Sequence, residues 1–179
     1  MSPPSPDSSA EGPHLLLILR HGKAEPFAAE DHQRRLTERG RRVSVADGEW
    51  LATRGIVPTH AFVSSAVRAR ETWDGVAEGS GSAAEPRIED TAYNADTDTA
   101  VDLLRTAPAD ARIVIFVGHN PTAASLVHHL DDGDPAPDAF RALARGFPPG
   151  ALAVLELAGP WSELGNATAH LAGFHVGRV

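Results

Sequence analysis

Two stretches of the chain are apolar without interruption, His14–Leu19 after its first residue and Arg112–Val117 after its arginine. Runs of this length without a polar alternation suit strands buried on both faces, as in parallel α/β sheets. Between them the apolar positions change period. From Thr37, a good N-cap, Val43, Ala46, Trp50 and Leu51 recur at helical spacing, and Gly55 supplies a stop. Ala61–Val63 predicts a short strand, and Ser64-Ser65 then cap a helix through Ala66, Ala69, Trp73 and Val76. Gly79–Glu85 reads as a loop, Arg87-Ile88 as an edge strand, and Asp96 or Thr97 as the start of a helix ending near Ala107-Pro108. After the second apolar run come a turn at Gly118-His119-Asn120 and a helix over Thr122–Leu130, with Pro121 in its first turn. A short helix around Asp138–Arg145 and strands over Ala151–Leu157 and Thr168–Phe174 complete the chain. The polar segment 23–35 reads as a loop. Alternation of strand and helix predicts a mostly parallel central sheet with helices on both faces.

The first thirteen residues hold four Ser, four Pro and no large apolar side chain. They cannot bury enough surface to offset their ordering entropy, so the expectation is a disordered tail over residues 1–13 and one domain over residues 14–179. No apolar run approaches the ~20 residues of a membrane helix, and the start lacks the basic and apolar regions of a signal peptide. There is no cysteine, which excludes disulfides and thiolate metal sites and fits a cytoplasmic protein.

The net charge of −8 disfavours a nucleic-acid partner. Locally the sign reverses: between Arg20 and Arg42 stand seven basic residues against four acids. A small anion fits such a segment better than a polyanion does, and a solvated helix face fits the arginines after residue 33 equally well. The single lysine against fifteen arginines is a composition bias without functional content.

Three turns following apolar strands carry the same kind of chemistry. The first strand ends in Arg20-His21-Gly22, the second in Ser64-Ser65 with Arg68 one turn into its helix, and the later apolar run in Gly118-His119-Asn120. In a parallel sheet these turns meet at the carboxyl ends of the strands, where ligands bind. Two arginines, two histidines and one or two helix N-termini around one point favour an anion, and the arginine fork matches phosphate oxygens. Gly22 allows main-chain N–H groups to approach such a ligand.

These pieces resemble the histidine phosphatase superfamily, and within it the SixA-type phosphohistidine phosphatases. The matching segments are Leu15–Ala24 with Arg20-His21-Gly22, Leu36-Thr37-Glu38-Arg39-Gly40, Ser64–Thr72 with Arg68, and Val117-Gly118-His119-Asn120-Pro121. They follow the family's order over about residues 14–130. The resemblance implies a single-domain, phosphoglycerate mutase-like α/β sandwich. It implies that His21 is the nucleophile and carries a transient phosphoryl group, and that Arg20, Arg68 and His119 hold the phosphoryl oxygens. It implies no cofactor and no metal, and as substrate a phosphorylated protein or a small phosphorylated molecule. A neutral imidazole nitrogen attacking phosphorus splits one hard transfer into two easier ones. Positive groups around the equatorial oxygens stabilise the transition state.

Several residues carry plainer readings beside these. Ser64 and Ser65 read as caps rather than catalysts, Lys23 as solvated, and the adjacent His128-His129 as structural. Asn120 fits a cap and a phosphate-binding residue equally. Relatives that act on phosphate esters place a carboxylic acid after the Arg68-type helix to protonate the leaving oxygen. Here Glu89 and Asp90 are the candidates in that region, neither in clear register with the family's acid. The absence of an obvious acid suits a phosphorus–nitrogen bond, whose leaving nitrogen is basic enough to take a proton from water or a neighbouring side chain. Only 51 positions separate Arg68 from His119, too few for a lid domain. The expected function is thus removal of phosphate from protein phosphohistidine through His21. The alternatives are hydrolysis of small phosphate monoesters and a phosphoprotein-binding module without turnover. A mutase is disfavoured because Lys23 stands where mutases carry a glutamate.

Overall fold

The computed structural model describes residues 12–178. Most of the expected tail, residues 1–11, lies outside the described residues. Six strands form one sheet in the order β3-β2-β4-β1-β5-β6. They are β1 (Leu15–Arg20), β2 (His60–Ser64), β3 (Pro86–Glu89), β4 (Ile113–Gly118), β5 (Ala151–Leu157) and β6 (Ala169–Val176). The first apolar run lies at the centre, parallel to β4 with Leu15 opposite Ile113, and antiparallel to β5 with Leu15 opposite Glu156. β2 is parallel to both β4 and β3. Leu16 through Leu19 are fully buried because both faces of β1 are covered.

Alternate residues of the central strands feed two cores, as strand periodicity requires. Leu17, Leu19, Val63 and Val117 face helices α1 (Glu38–Ala52) and α2 (Val67–Ser80). Leu16, Ile18, Phe62 and Phe116 face α3 (Thr97–Arg105), α4 (Thr122–Leu130) and α5 (Pro137–Leu143). This is the mostly parallel, two-sided α/β sandwich that the hydrophobic pattern predicts. Among the described residues no helix is long and apolar enough to cross a membrane.

Two helix faces differ from the sequence reading. In α1 the buried positions are Gly40, Val43, Ser44, Asp47, Gly48 and Leu51, whereas Ala46 and Trp50 are only half-buried. Trp50 instead lies between the His175 ring, stacked at 4.3 Å, and the Arg54 guanidinium at 3.8 Å. Likewise Gly79 does not open a loop; α2 continues to Ser80 and ends at Gly81, which has φ +71°. The reason is close helix contact. A Cβ on Gly48 would meet the Val76 carbonyl oxygen at 2.4 Å, and one on Gly79 would meet the Val45 carbonyl oxygen at 2.0 Å. Small residues let the α1 and α2 backbones touch, and hydropathy gives no sign of that.

Segment 23–35 is also more ordered than a plain loop. It contains a 3-10 turn over Asp31–Gln33 and a β-bridge between Ala24 and Leu36. Lys23 carbonyl oxygen accepts from the Thr37 N–H at 2.9 Å. The arginines that follow do not form a solvated face alone. Arg35 pairs with Glu71 at 2.7 Å, Arg41 reaches the same carboxylate at 3.9 Å, and Arg34 pairs with Asp31 at 2.9 Å. Arg35 ties the loop to α2, Arg41 ties α1 to the same carboxylate, and the Arg34 pair closes within the loop.

Candidate active site

β1, β2 and β4 are neighbours running the same way, so their carboxyl ends open onto one edge of the sheet. That places His21, Arg68 and His119 in contact. The His21 and His119 ring centroids are 5.1 Å apart. Arg68 Nε donates to His21 Nε2 at 3.3 Å, and Arg68 Nη2 faces His119 Nδ1 at 3.5 Å. The helix N-termini that meet here lack the side-chain caps that α1 and α3 carry, as does that of α5. α1 is capped by Thr37, which accepts from the Gly40 N–H, and α3 by Asp96, which accepts from the Thr99 N–H. α2 and α4 start at Ala66 and Pro121 without a side-chain cap, leaving amide donors at the site end. The expected capping role of Ser64 and Ser65 is therefore corrected. Ser64 Oγ accepts from the Ala66 N–H at 3.3 Å, short of the helix proper, and pairs with His119 Nε2 at 2.7 Å; Ser65 Oγ pairs with His32 Nε2 at 2.9 Å. Both hydroxyls are drawn to histidines that the chain brings from elsewhere.

Hydrogen bonds determine the state of His21. Its Nδ1 lies 2.7 Å from the Gly22 carbonyl oxygen, which can only accept, so Nδ1 carries the proton. Nε2 receives the Arg68 N–H and is therefore unprotonated, its one lone pair held by Arg68 until an incoming group takes that contact. Burial is the main cause holding the His21 pKa down to about 4, with the Arg68, Arg20 and Arg34 charges acting the same way against the Gly22 bond. His119 is lowered to about 3, by burial first and then by His21 and Arg68. Both rings are thus neutral at neutral pH. The Gly22 peptide is held in turn by Thr72: the Gly22 N–H donates to Thr72 Oγ1 at 2.9 Å, and Thr72 Oγ1 donates to the Arg68 carbonyl at 2.7 Å.

Arg20 stands on the other side. Its Nη1 donates to the Phe147 carbonyl oxygen at 2.9 Å, and its buried Nε has no partner. Burial lowers its pKa. Asn120 Nδ2 donates to the same Phe147 carbonyl at 2.9 Å, and it caps no helix. The cap-or-pocket question for Asn120 thus resolves to a residue beside Arg20. Gly150 N–H donates to both the Arg20 and His21 carbonyls at 3.1 Å, so the segment before β5 braces the Arg-His-Gly turn.

None of the remaining candidates bonds to His21, Arg68 or His119 among the described residues. Glu89 ends β3 in register with Ser64, accepts the Ser65 N–H on its carbonyl at 3.2 Å and forms an ion pair with Arg87; Asp90 is exposed. Lys23 is exposed, and His128 and His129 sit at the far end of α4. Among the described residues no group of three or more His, Cys, Asp or Glu side chains is arranged to hold a metal ion. Two contributors escaped the sequence reading. Asp31 accepts from Arg68, and Tyr93 stands edge-on to His119 with ring centroids 5.5 Å apart. Neither belongs to a local motif; the acid of Asp31 inside a basic segment was the one available sign.

An unprotonated imidazole nitrogen, two arginines and two uncapped helix ends stand together at the carboxyl edge of a parallel sheet, an arrangement whose charges and donors suit an anion. The model of the histidine phosphatase superfamily (branch 1) matches residues 16–97. The structure of a SixA protein from Nakamurella multipartitia, named for phosphohistidine phosphatase, has a TM-score of 0.81 and 33% identity, covering 94% of this chain and 98% of that one. A like-named SixA structure from Agrobacterium tumefaciens has a TM-score of 0.75 and 28% identity over 92% and 98% of the two chains. An uncharacterized protein of Mycobacterium leprae is 33% identical over 165 residues, covering 89% of this chain and 100% of that one. The chain belongs to the histidine phosphatase superfamily and is of the SixA type. It is a phosphatase with the phosphoglycerate mutase-like fold.

Proposed function

We propose that this phosphatase works through a covalent phosphohistidine at His21, and that its substrate is phosphohistidine on a protein. The observation that carries the reading is the Nε2 lone pair of a neutral His21, fixed by the Gly22 carbonyl on one ring nitrogen and the Arg68 N–H on the other. Nε2 attacks phosphorus as the bond to the substrate nitrogen breaks. That nitrogen keeps the electron pair and takes a proton from water. Water then attacks the phosphoryl group, the phosphorus–Nε2 bond breaks, its electron pair returns to Nε2, and inorganic phosphate leaves. Arg20, Arg68 and His119 hold the phosphoryl oxygens and Asn120 stands beside Arg20. Gly22, expected to offer its N–H to the ligand, instead gives it to Thr72 and its carbonyl to His21, so it holds the nucleophile rather than the oxygens. Positive charge already in place meets the developing negative charge, so the reading requires no metal.

The shape beside His119 favours a protein over a bisphosphate. A groove of about 400 Å³ runs past Tyr93, Asn94, Asp96, Thr97 and Ser125, and no lysine or arginine lines it. A second phosphate would find no cation there. The SixA structures from Nakamurella multipartitia and Agrobacterium tumefaciens, named for this activity, support the same substrate.

The test is phosphoenzyme capture. The protein is mixed with phosphoramidate in the presence of a chelator and quenched in base. The expected result is an acid-labile, base-stable phosphate on the peptide containing His21, absent from His21→Ala and decaying with release of phosphate. Absence of label with phosphate binding intact would overturn the reading in favour of a binding module. Faster turnover on an alkyl phosphate than on a phosphohistidine peptide would overturn the substrate.

A further inference from the structure

Arg68 uses its guanidinium on two edges. The edge between Nε and Nη2 faces the two histidines, at 3.3 Å from His21 Nε2 and 3.5 Å from His119 Nδ1. The adjoining edge, between Nη1 and Nη2 and using the second hydrogen of Nη2, is gripped by one residue. Asp31 accepts from Nη1 on its backbone carbonyl at 2.7 Å and from Nη2 on Oδ2 at 3.0 Å. The Asp31 carboxylate is itself held. Tyr93 donates its hydroxyl to Oδ2 at 2.7 Å, and Arg34 Nη1 donates to Oδ1 at 2.9 Å. These bonds, Tyr93 first, keep the Asp31 carboxyl well below the usual carboxylate range. The Tyr93 ring continues the arrangement, standing edge-on to both His119 and His32.

We propose that Asp31 is the positioning residue of the phosphoryl site: by clamping the adjoining edge of Arg68, it presents the histidine-facing edge to the phosphoryl group in register with His21 Nε2. This rests on the reading of His21 and Arg68 given above. An arginine is a long side chain whose freedom must be lost each time an oxygen is bound, and a clamp supplies that ordering before substrate arrives. Because Asp31 occupies the edge away from the histidines, it need not leave when the anion enters. Its grip acts on orientation, which weighs more in the transition state than in simple anion binding.

Four proteins test this: the native chain, Asp31→Ala, Asp31→Asn and Tyr93→Phe. The readouts are the rate of His21 labelling at saturating phosphoramidate, the affinity for inorganic phosphate, and the melting temperature. Asp31→Ala is expected to slow labelling by at least about tenfold, since displacement of about 1 Å costs on that order or more. Phosphate affinity should fall less than about threefold. Asp31→Asn, which keeps an acceptor for Nη2, should recover most of the rate, and Tyr93→Phe should lie between. Equal labelling rates in Asp31→Ala and the native chain would overturn the proposal. So would tighter phosphate binding at an undiminished rate, which would mark Asp31 as a competing anion. A rate that falls only in step with melting temperature, without recovery in Asp31→Asn, would also overturn it. If the Ala variant fails to fold, Asp31→Asn and Tyr93→Phe carry the comparison. Failure of the native chain to label His21 would refute the proposed function instead, so the two failures are separate.

Discussion

Thr72 joins the nucleophile's turn to the helix that carries Arg68, and replacing it tests whether that join matters. Thr72 is fully buried, accepts the Gly22 N–H at 2.9 Å and donates to the Arg68 carbonyl at 2.7 Å. Thr72→Val keeps the volume and removes the hydroxyl. The Gly22 N–H is then buried without a partner, at a cost of about 1–3 kcal/mol. The Arg68 carbonyl loses less, because helix bonding to residue 72 remains. Taking about 2 kcal/mol, a domain of this size should melt about 4–8 °C lower. Thr72→Ser keeps both bonds and loses one methyl, worth about 1 kcal/mol. The two variants therefore separate stability from chemistry. Thr72→Ser should lose a few degrees and keep its rate of His21 labelling. Thr72→Val should lose more and also slow labelling, because Gly22 carries the carbonyl that fixes the His21 tautomer at 2.7 Å. Thermal melting by circular dichroism and rapid-quench labelling read the two effects. A Thr72→Val protein that melts with the native chain, or labels as fast as Thr72→Ser, would refute this account of the turn.

The histidine environment predicts a direction with pH. His21 falls from an ordinary 6.5 to about 4 in the folded chain, and His119 to about 3. Between pH 6.5 and 4 the unfolded chain therefore binds protons that the folded chain refuses. Stability is fully present above 6.5 and declines as pH falls through that window, by about 3 kcal/mol from His21 alone. Urea melts at pH 7.5, 6 and 5 check this, and a flat profile would contradict it. Gly79→Ala, usually a gain inside a helix, should destabilise by about 3 kcal/mol and lower the melting temperature by about 6–12 °C. The added carbon meets the Val45 carbonyl at 2.0 Å, so α1 and α2 must part; a melting temperature at or above the native one would show that they part freely. Finally, Glu89→Gln and Asp90→Asn should leave phosphoramidate turnover within about twofold, since a nitrogen leaving group takes its proton without a dedicated acid. A tenfold loss in either would identify that residue as the proton donor.

Most of the architecture was legible in the order of residues. Continuous apolar runs of strand length suit strands buried on both faces, and the alternation with helical periods leaves a two-sided α/β sheet as the natural solution. Arg20, His21, Arg68 and His119 were legible for a related reason. Each stands at a fixed offset from the carboxyl end of a strand, so parallel neighbours bring them to one edge, as β1, β4 and β2 do. Thr37 was readable as a cap, and the next helix start was narrowed to Asp96 or Thr97, of which Asp96 caps, because a cap acts within three residues of itself.

What the tertiary structure alone decided are contacts whose partners are distant in the chain or lack a side-chain signature. Asp31 meets Arg68, Thr72 meets Gly22, and Arg20 and Asn120 share the carbonyl of Phe147, an acceptor that every residue type offers alike. Ser64 and Ser65 looked like caps from local rules and were claimed by His119 and His32. The face of α1 turned toward Ser44 and Gly48 because backbone contact with α2 outweighed the hydropathy of Ala46 and Trp50, and Gly40 lies against the Lys23 backbone. Hydrophobic pattern and motif order determine which residues reach the site. How each is held there depends on hydrogen bonds to peptide groups and on close packing, and both come into being only when the layers meet.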